Sequence, residues 1–367
     1  MQRAWIAGEA VTLDAAIAEA AKLVAASHQP LIAGLGTDVA GARAAISLAQ
    51  RVGGAIDHMH SESLLRHLDV VRSSGVMATT PTETDVHADT LLLAGPLPHA
   101  GLFQQIVLGS GRRTGRGRPR RIFWLCPGNS AARALGGKND TQIIGRAPRD
   151  LPALLAALRA RIADRPIAKA AVSARLLDRV SRELKASRFG VAIWSVASID
   201  ALAIEMLCGM VNDLNAMTRF STLPLLSADN AFGTLQVCGW TTGVPMRTGF
   251  GRLYPHHDPW LFDSGRLAEA GETDCVIWIS AYRAEAPPWR EVPPTIALMA
   301  DGAGFRVPPR VHITVGTPAV DHAAVHYVPS AGTLAALAAS QPSQTISVAD
   351  AIWRIAAALP DDGAGRC

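Results

Sequence analysis

The chain has 367 residues, 49% of them hydrophobic and 18% charged, with 35 basic against 31 acidic side chains. That balance excludes disorder as the dominant state and supplies enough apolar mass for two domains or one large α/β unit. No apolar run approaches the ~20 residues that span a bilayer, and Glu9 and Asp14 interrupt any apolar signal core, so a cytoplasmic protein is expected.

Asp14 to Ala26 predicts a helix, with Thr12 as N-cap and Ile17, Ala20, Ala21 and Val24 along one stripe. LIAGLG, after Pro30, reads as a buried strand entering a glycine-rich turn. Val39 to Val52 is the next helix, stopped by Gly53-Gly54 before a strand AIDHMH. Thr90 to Gly95 and Ile122 to Gly128 are further strands, and Leu151 to Ile162 is an amphipathic helix. The charged, helical stretch Asp164 to Lys185 reads as a hinge. The order then repeats: FGVAIWSV (Phe189 to Val196) matches PLIAGLG, a helix follows over Asp200 to Asn215, and STLPLL stands where AIDHMH stood. CVIWISAY, TIALMAD and VHITVG supply later strands. The pattern predicts parallel-sheet, Rossmann-like α/β halves at 1–165 and 166–340, with a C-terminal helix and a frayed tail at 341–367.

Five cysteines (Cys126, Cys208, Cys238, Cys275, Cys367) lie far apart with no C-x-x-C, which reads as a reduced set and excludes a local zinc ribbon or four-cysteine cluster. The basic excess is one local feature, the stretch around 110–121 with Arg112, Arg113, Arg116, Arg118, Arg120 and Arg121. Without those six, acidic residues outnumber basic ones by two, unlike the spread of charge in a nucleic-acid protein. The segment either grips an acidic tail through bidentate contacts or is a solvated loop.

The turn from Gly34 to Gly41 follows a strand and opens a helix, as a phosphate site does. Val39 stands where the dinucleotide fingerprint needs glycine and Asp38 would repel phosphate, which favours a structural turn. His58-x-His60 at a strand end has the spacing of amidohydrolase metal sites, but needs further ligands that His256-His257-Asp258 would supply only if the fold converges them. The segment 227–260, rich in glycine, proline and aromatics, reads as a long loop. It either carries function or is covered by a partner subunit through Trp240, Phe250, Tyr254 and Trp260.

AWIAGEAVTLDAAIAEAAKLVAASHQPLIAGLG, GGAIDHMHSES, HADTLLLAGPLPHA, MVNDLNAMTRFSTLPL and FGTLQVCGWTTGVP span most of residues 4–250. Together they resemble the B subunit of formylmethanofuran dehydrogenase, of the molybdopterin oxidoreductase superfamily, in the form found in bacterial formyltransferase/hydrolase complexes. The most specific piece is G-x-x-Q-V-C-x-W (Gly233, Gln236, Val237, Cys238, Trp240).

The resemblance implies a molybdopterin oxidoreductase-like architecture without the iron–sulfur domain, since the chain opens at the W-I-x-G-E segment. The family's metal-ligating cysteine and its histidine neighbour fall on Ser63 and Leu64, and the pterin-contacting G-x-N-P turn becomes Gly95-Pro96-Leu97-Pro98. A serine hydroxyl is a poor substitute for a soft thiolate, and leucine relays no proton. The implied function is therefore a noncatalytic structural subunit, with no catalytic, metal-binding or cofactor-binding residue and no cofactor of its own. Arg252 falls near the family's active-site arginine. The complex would convert formyl-tetrahydromethanopterin to formate through a methanofuran-like carrier. The partners so implied are an amidohydrolase-like hydrolase subunit holding zinc, a formyltransferase subunit and a further structural subunit, with no nucleic acid or membrane. The alternative is an active molybdopterin or tungstopterin enzyme with Ser63 as metal ligand.

Overall fold

A computed structural model of the chain describes residues 3–98, 106, 120–129, 141–167, 172–226, 228–289, 293–302 and 304–360. The chain opens with β1 (Ala4–Ile6) and β2 (Glu9–Val11), followed by α1 (Leu13–Ala26), β3 (Pro30–Gly36), α2 (Val39–Val52), β4 (Ala55–Ile56), α3 (Ser61–Ser74) and α4 (Pro81–His87). Next come β5 (Thr90–Ala94), β6 (Arg121–Leu125), β7 (Thr141–Ile144), α5 (Leu151–Ile162), α6 (Ala174–Lys185), β8 (Phe189–Ser195), α7 (Ala201–Asn215) and β9 (Arg219–Leu225). The remainder is α8 (Ala231–Thr242), β10 (Thr248–Gly249), β11 (His256–His257), α9 (Ser264–Glu269), β12 (Cys275–Ser280), β13 (Thr295–Met299), β14 (Val311–Thr314), β15 (Ala324–Val328), β16 (Thr333–Leu337) and α10 (Val348–Ala357).

These elements form two compact units, and the units are interleaved in sequence. Unit 1 comprises Met1–Glu62, Ala228–Tyr327 and Leu334–Cys367; unit 2 comprises Ser63–Ser227 and Val328–Thr333. The consecutive halves 1–165 and 166–340 are therefore not the structural units. The strands TLLLA and RIFWL of the first stretch pair with each other, and TLLLA pairs with FGVAIWS, while CVIWIS pairs with the early strand PLIAGLG. The helix Ala174–Lys185 belongs to unit 2, where it packs on α5, so it is not a hinge between the expected halves.

Unit 1 holds a nine-stranded sheet of order β11-β10-β4-β3-β12-β13-β14-β1-β2. Its centre, β4-β3-β12-β13-β14, is parallel, and the flanking strands are antiparallel. Every residue of β3, β12 and β13 is buried, as expected where helices cover both faces of a parallel sheet. α2 packs against α8 and α10, and α1 against α10 and β14. Trp278 and Trp289 meet edge-to-face at 5.4 Å in this core, with the Trp278 indole donating to the Glu285 carbonyl at 2.7 Å.

Unit 2 holds an all-parallel sheet of order β7-β6-β5-β8-β9, with Trp124, Trp194, Phe123 and Phe220 fully buried around it. The repeated strand–helix–strand pattern corresponds to β3-α2-β4 in one unit and β8-α7-β9 in the other, each a parallel neighbour pair.

Helix ends follow the capping residues. Thr12 accepts from the Ala15 N–H at 3.2 Å, Asp38 from Gly41 at 2.9 Å and Asp200 from Ala203 at 2.8 Å. The segment 227–260 is not one long loop. From Ala231 it forms α8, three turns buried on the side that meets α2, and it returns through β10 and β11. Its glycines masked the helix. Gly233 is glycine because a Cβ there would lie 2.1 Å from Asn230 Oδ1.

Candidate functional site

The polar chemistry of unit 1 gathers at the carboxyl ends of β3, β4 and β12. β4 is only two residues long, and the chain leaves it through Asp57-His58-Met59-His60. That turn is pinned by the Asp57 N–H on the Ile32 carbonyl at 3.1 Å and the Met59 N–H on the Gly34 carbonyl at 3.0 Å. His58 accepts the His60 N–H at Nδ1 (3.0 Å), so the ring proton sits on Nε2 and is donated to the Asp229 carbonyl at 3.2 Å. Burial, with His60 nearby, pushes the His58 pKa down to about 3. Both nitrogens are engaged, and His58 is a neutral structural histidine with no lone pair left for a metal.

His60 Nε2 lies 3.0 Å from Asp229 Oδ2, and Arg283 grips the same carboxylate, Nε to Oδ1 at 2.9 Å and Nη2 to Oδ2. Burial alone would raise the Asp229 pKa, but the hydrogen bonds from His60 and Arg283 outweigh it and hold the group at about 2. A polar cavity of about 500 Å³ opens beside Arg283, lined also by Arg3, Tyr282, Asp301, Thr314 and Asp321.

A second network surrounds Arg247, a nearly buried residue at φ 61°. Its guanidinium meets Asp263 at 2.5 Å, Glu62 at 3.1 Å, the Pro259 carbonyl at 2.8 Å and Asp57 at 3.6 Å. Burial raises the Asp57 pKa against the pull of Arg247.

The residues singled out in the sequence fall in different places. The turn from Gly34 to Gly41 is structural: Asp38 caps α2 itself, and a Cβ at Gly34 would lie 2.5 Å from the Ile279 carbonyl oxygen. His256 and His257 form the edge strand β11, two strands away from β4. His257 Nδ1 faces the Arg247 carbonyl at 3.0 Å and His256 stacks edge-on against Phe262. They do not converge with His58 and His60, and among the described residues no group of three or more metal-ligand side chains comes together.

Ser63 and Leu64 lie in the first turn of α3, Leu64 with 1% of its surface exposed. Arg252 is exposed in the turn between β10 and β11. In Gly95-Pro96-Leu97-Pro98, Leu97 is buried, and the Gly95 carbonyl accepts from the Trp124 indole at 2.9 Å.

Of the arginine segment, Arg112, Arg113, Arg116 and Arg118 lie outside the described residues. Arg120 is not a surface cation. Its side chain is 0% exposed and donates to the carbonyls of Ala88 (2.8 Å), Thr84 (3.2 Å), Ile106 (3.3 Å) and Asp85. Arg121 begins β6 and reaches Thr90 Oγ1 at 3.0 Å. Cys126, Cys208, Cys238 and Cys275 are buried free thiols, while Cys367 lies outside the described residues.

Of the four aromatic anchors expected in 227–260, Phe250 is buried in the unit, whereas Trp240 (56% exposed), Tyr254 and Trp260 are exposed. Leu253, beside Tyr254, is almost fully exposed, and Arg266 stacks over Trp260 at 4.4 Å.

Among curated proteins, the B subunit of the formyltransferase/hydrolase complex Fhc of Methylorubrum extorquens is 35% identical over 349 residues, 93% of this chain and 92% of that protein. The chain belongs to this B subunit family. A crystal structure of the formyltransferase/hydrolase complex (FhcABCD) from the same organism, in complex with methylofuran, contains a chain that superimposes with a TM-score of 0.85 at 32% identity. The match covers 96% of this chain and 97% of that one. A more distant relative is the B subunit of the tungsten-containing formylmethanofuran dehydrogenase 2 of Methanocaldococcus jannaschii, 28% identical over 289 residues, 74% of this chain and 64% of that protein. No family model matches the chain.

The fold is the mixed α/β arrangement of that structure. Position 63 carries a hard, neutral hydroxyl and position 64 a buried hydrocarbon, at the positions where the resemblance expects a metal ligand and its histidine neighbour.

Sequence reasoning did not find Asp229, Arg247 or Arg283. Asp229-Asn230 carried a signal, a dipeptide that tolerates left-handed backbone directly before a helix. Arg283 carried none, because its partner is 54 residues away.

Proposed function

We propose that this chain is a noncatalytic structural subunit of a cytoplasmic formyltransferase/hydrolase complex in one-carbon metabolism. The complex moves a formyl group from formyl-tetrahydromethanopterin to a methanofuran-like carrier and hydrolyses it to formate. The observation that carries the reading is the near full-length likeness in both directions to the B subunit of such a complex, at 35% identity and a TM-score of 0.85. The burial of Leu64 supports it: at the position where the resemblance calls for a proton-relaying histidine, the side chain is spent on packing. No residue of this chain is assigned a catalytic, cofactor-binding or metal-binding role.

Chemistry falls to the partners: a zinc-dependent amidohydrolase-like subunit and a formyltransferase subunit, with a further structural subunit beside them. The exposed aromatics Trp240, Tyr254 and Trp260 are the contact surface this chain offers them. Such side chains supply large contact area at low entropic cost, and aromatic residues dominate interface energetics.

Native purification through a tag on this chain tests the reading. The expected result is co-elution of three further subunits, with zinc following the hydrolase-like one and neither tungsten nor molybdenum following this chain. Recovery of the chain alone with stoichiometric tungsten or molybdenum and an extractable pterin would overturn the proposal in favour of an active metallopterin subunit using Ser63.

A further inference from the structure

In an open parallel α/β sheet, ligands bind outside the carboxyl ends of the strands, at the point where the strand order reverses. In unit 1 that point lies between β3 and β12, because the chain proceeds from β3 to β4 on one side and through β12, β13 and β14 on the other. Two cationic or donor side chains face it: Arg283, three residues beyond β12, and His60, four residues beyond β4. They hold a carboxylate from this same chain.

Asp229 has 4% of its side chain exposed and takes both prongs of the Arg283 fork as well as the His60 ring nitrogen. The backbone turns through the left-handed region to bring it there. Asp229 and Asn230 are consecutive non-glycine residues at φ 56°, a left-handed conformation that Asp and Asn tolerate better than other side chains but that glycine adopts more readily. Three bonds fix the turn: Asn230 Nδ2 to the Thr37 carbonyl (2.8 Å), the Tyr327 N–H to Asn230 Oδ1 (2.8 Å), and His58 Nε2 to the Asp229 carbonyl (3.2 Å).

We infer that unit 1 carries an oxyanion-binding fork at its switch point and that Asp229 is its built-in occupant, closing it to phosphates and carboxylates from outside. The polar cavity beside Arg283 gives a free anion a route to the guanidinium once the Asp229 carboxylate is gone, in competition with the exposed Glu285, which meets Nη2 at 3.3 Å. The inference does not rest on the assembly reading, so the two fail separately.

The test is Asp229→Gly in the full chain. Glycine adopts φ 56° without strain, so the substitution removes the carboxylate and relieves the backbone together. Thermal unfolding is followed in sodium phosphate against sodium chloride of equal ionic strength. The variant should gain a phosphate-dependent rise in Tm. A site of about 1 mM affinity read at about 100 mM phosphate gives roughly 5–10 °C. Wild type should show only the smaller general stabilisation that phosphate gives any fold, and Asp229→Gly with Arg283→Ala should fall back to it. If the variant does not hold its fold in chloride, recovery of the wild-type far-UV spectrum in phosphate by it but not by the double variant supports the inference, and failure to recover, or equal recovery by both, refutes it. A folded variant indifferent to phosphate, or a wild type stabilised as much as the variant, also overturns it.

Discussion

Arg120 offers the sharpest test of the packing described above. Its guanidinium closes the end of α4, where Thr84, Asp85 and Ala88 present carbonyls, and it takes the Ile106 carbonyl and the Asp85 carboxylate besides. Truncation to alanine strips several carbonyl acceptors of this donor and leaves a carboxylate without its cation. Asp85 is 44% exposed, so solvent screens the loss of the ion pair, and the cost lies in the carbonyls: a buried acceptor left unsatisfied costs about 1–3 kcal/mol, a large fraction of the roughly 5–15 kcal/mol that holds a domain together. Arg120→Lys keeps the charge but has no planar fork to span four carbonyls, so an intermediate loss is expected. Urea unfolding monitored by far-UV circular dichroism should give the order wild type, Lys, Ala in midpoint, with hydrogen exchange in α4 accelerated most in the alanine variant. A midpoint for Arg120→Ala within about 0.5 kcal/mol of wild type would refute the claim that this arginine is an internal cap rather than a surface cation.

Further outcomes are expected. Trp240→Ala should weaken co-purification of partner subunits by about 2 kcal/mol or more, roughly 30-fold in Kd, without altering the Tm of the isolated chain; undiminished assembly would remove this residue from the interface. Leu64→Ala should lower stability by about 2–5 kcal/mol in denaturant titrations, whereas Ser63→Ala should leave formate production by the complex unchanged; loss of turnover on the serine change would revive the metal-ligand alternative. Acid should destabilise both units early. His58 and His67 stay neutral in the fold down to about pH 3 and 4, while unfolded histidine takes a proton near 6.5. The unfolded state therefore binds more protons below pH 6.5, and stability falls as pH drops, by up to about 1.4 kcal/mol per pH unit for each histidine. A urea midpoint that stays flat between about pH 7 and 5 would contradict this.

Much of the local structure was legible because it is written locally. PLIAGLG, TLLLA, FGVAIWS and CVIWIS are apolar at nearly every position, as strands covered on both faces must be, and Thr12, Asp38 and Asp200 mark helix starts by their own side chains. Strand pairing is not local. Nothing in PLIAGLG says that its neighbour is CVIWIS, far along the chain, rather than TLLLA, and two α/β units built from similar strands leave the assignment open. α8 was hidden because Gly233 and Gly239 lower its helical signal, and packing against α2 supplies what propensity lacks. The charged networks joining Asp229 to Arg283 and Asp57 to Arg247 depend on the same long-range pairing. They became visible only with the fold.

The braided order of the two units bears on how the molecule is made. Unit 2 is one unbroken run apart from six residues, and most of it is in hand once Ser227 has been synthesised. Unit 1 cannot close then: β3 and β4 have left the ribosome, but β12, β13 and β14, the strands that shield β3 on its other side, are still to be made. A nascent chain halted after Ser227 would carry one domain complete but for six residues and a second sheet with a bare apolar border, a natural client for chaperones.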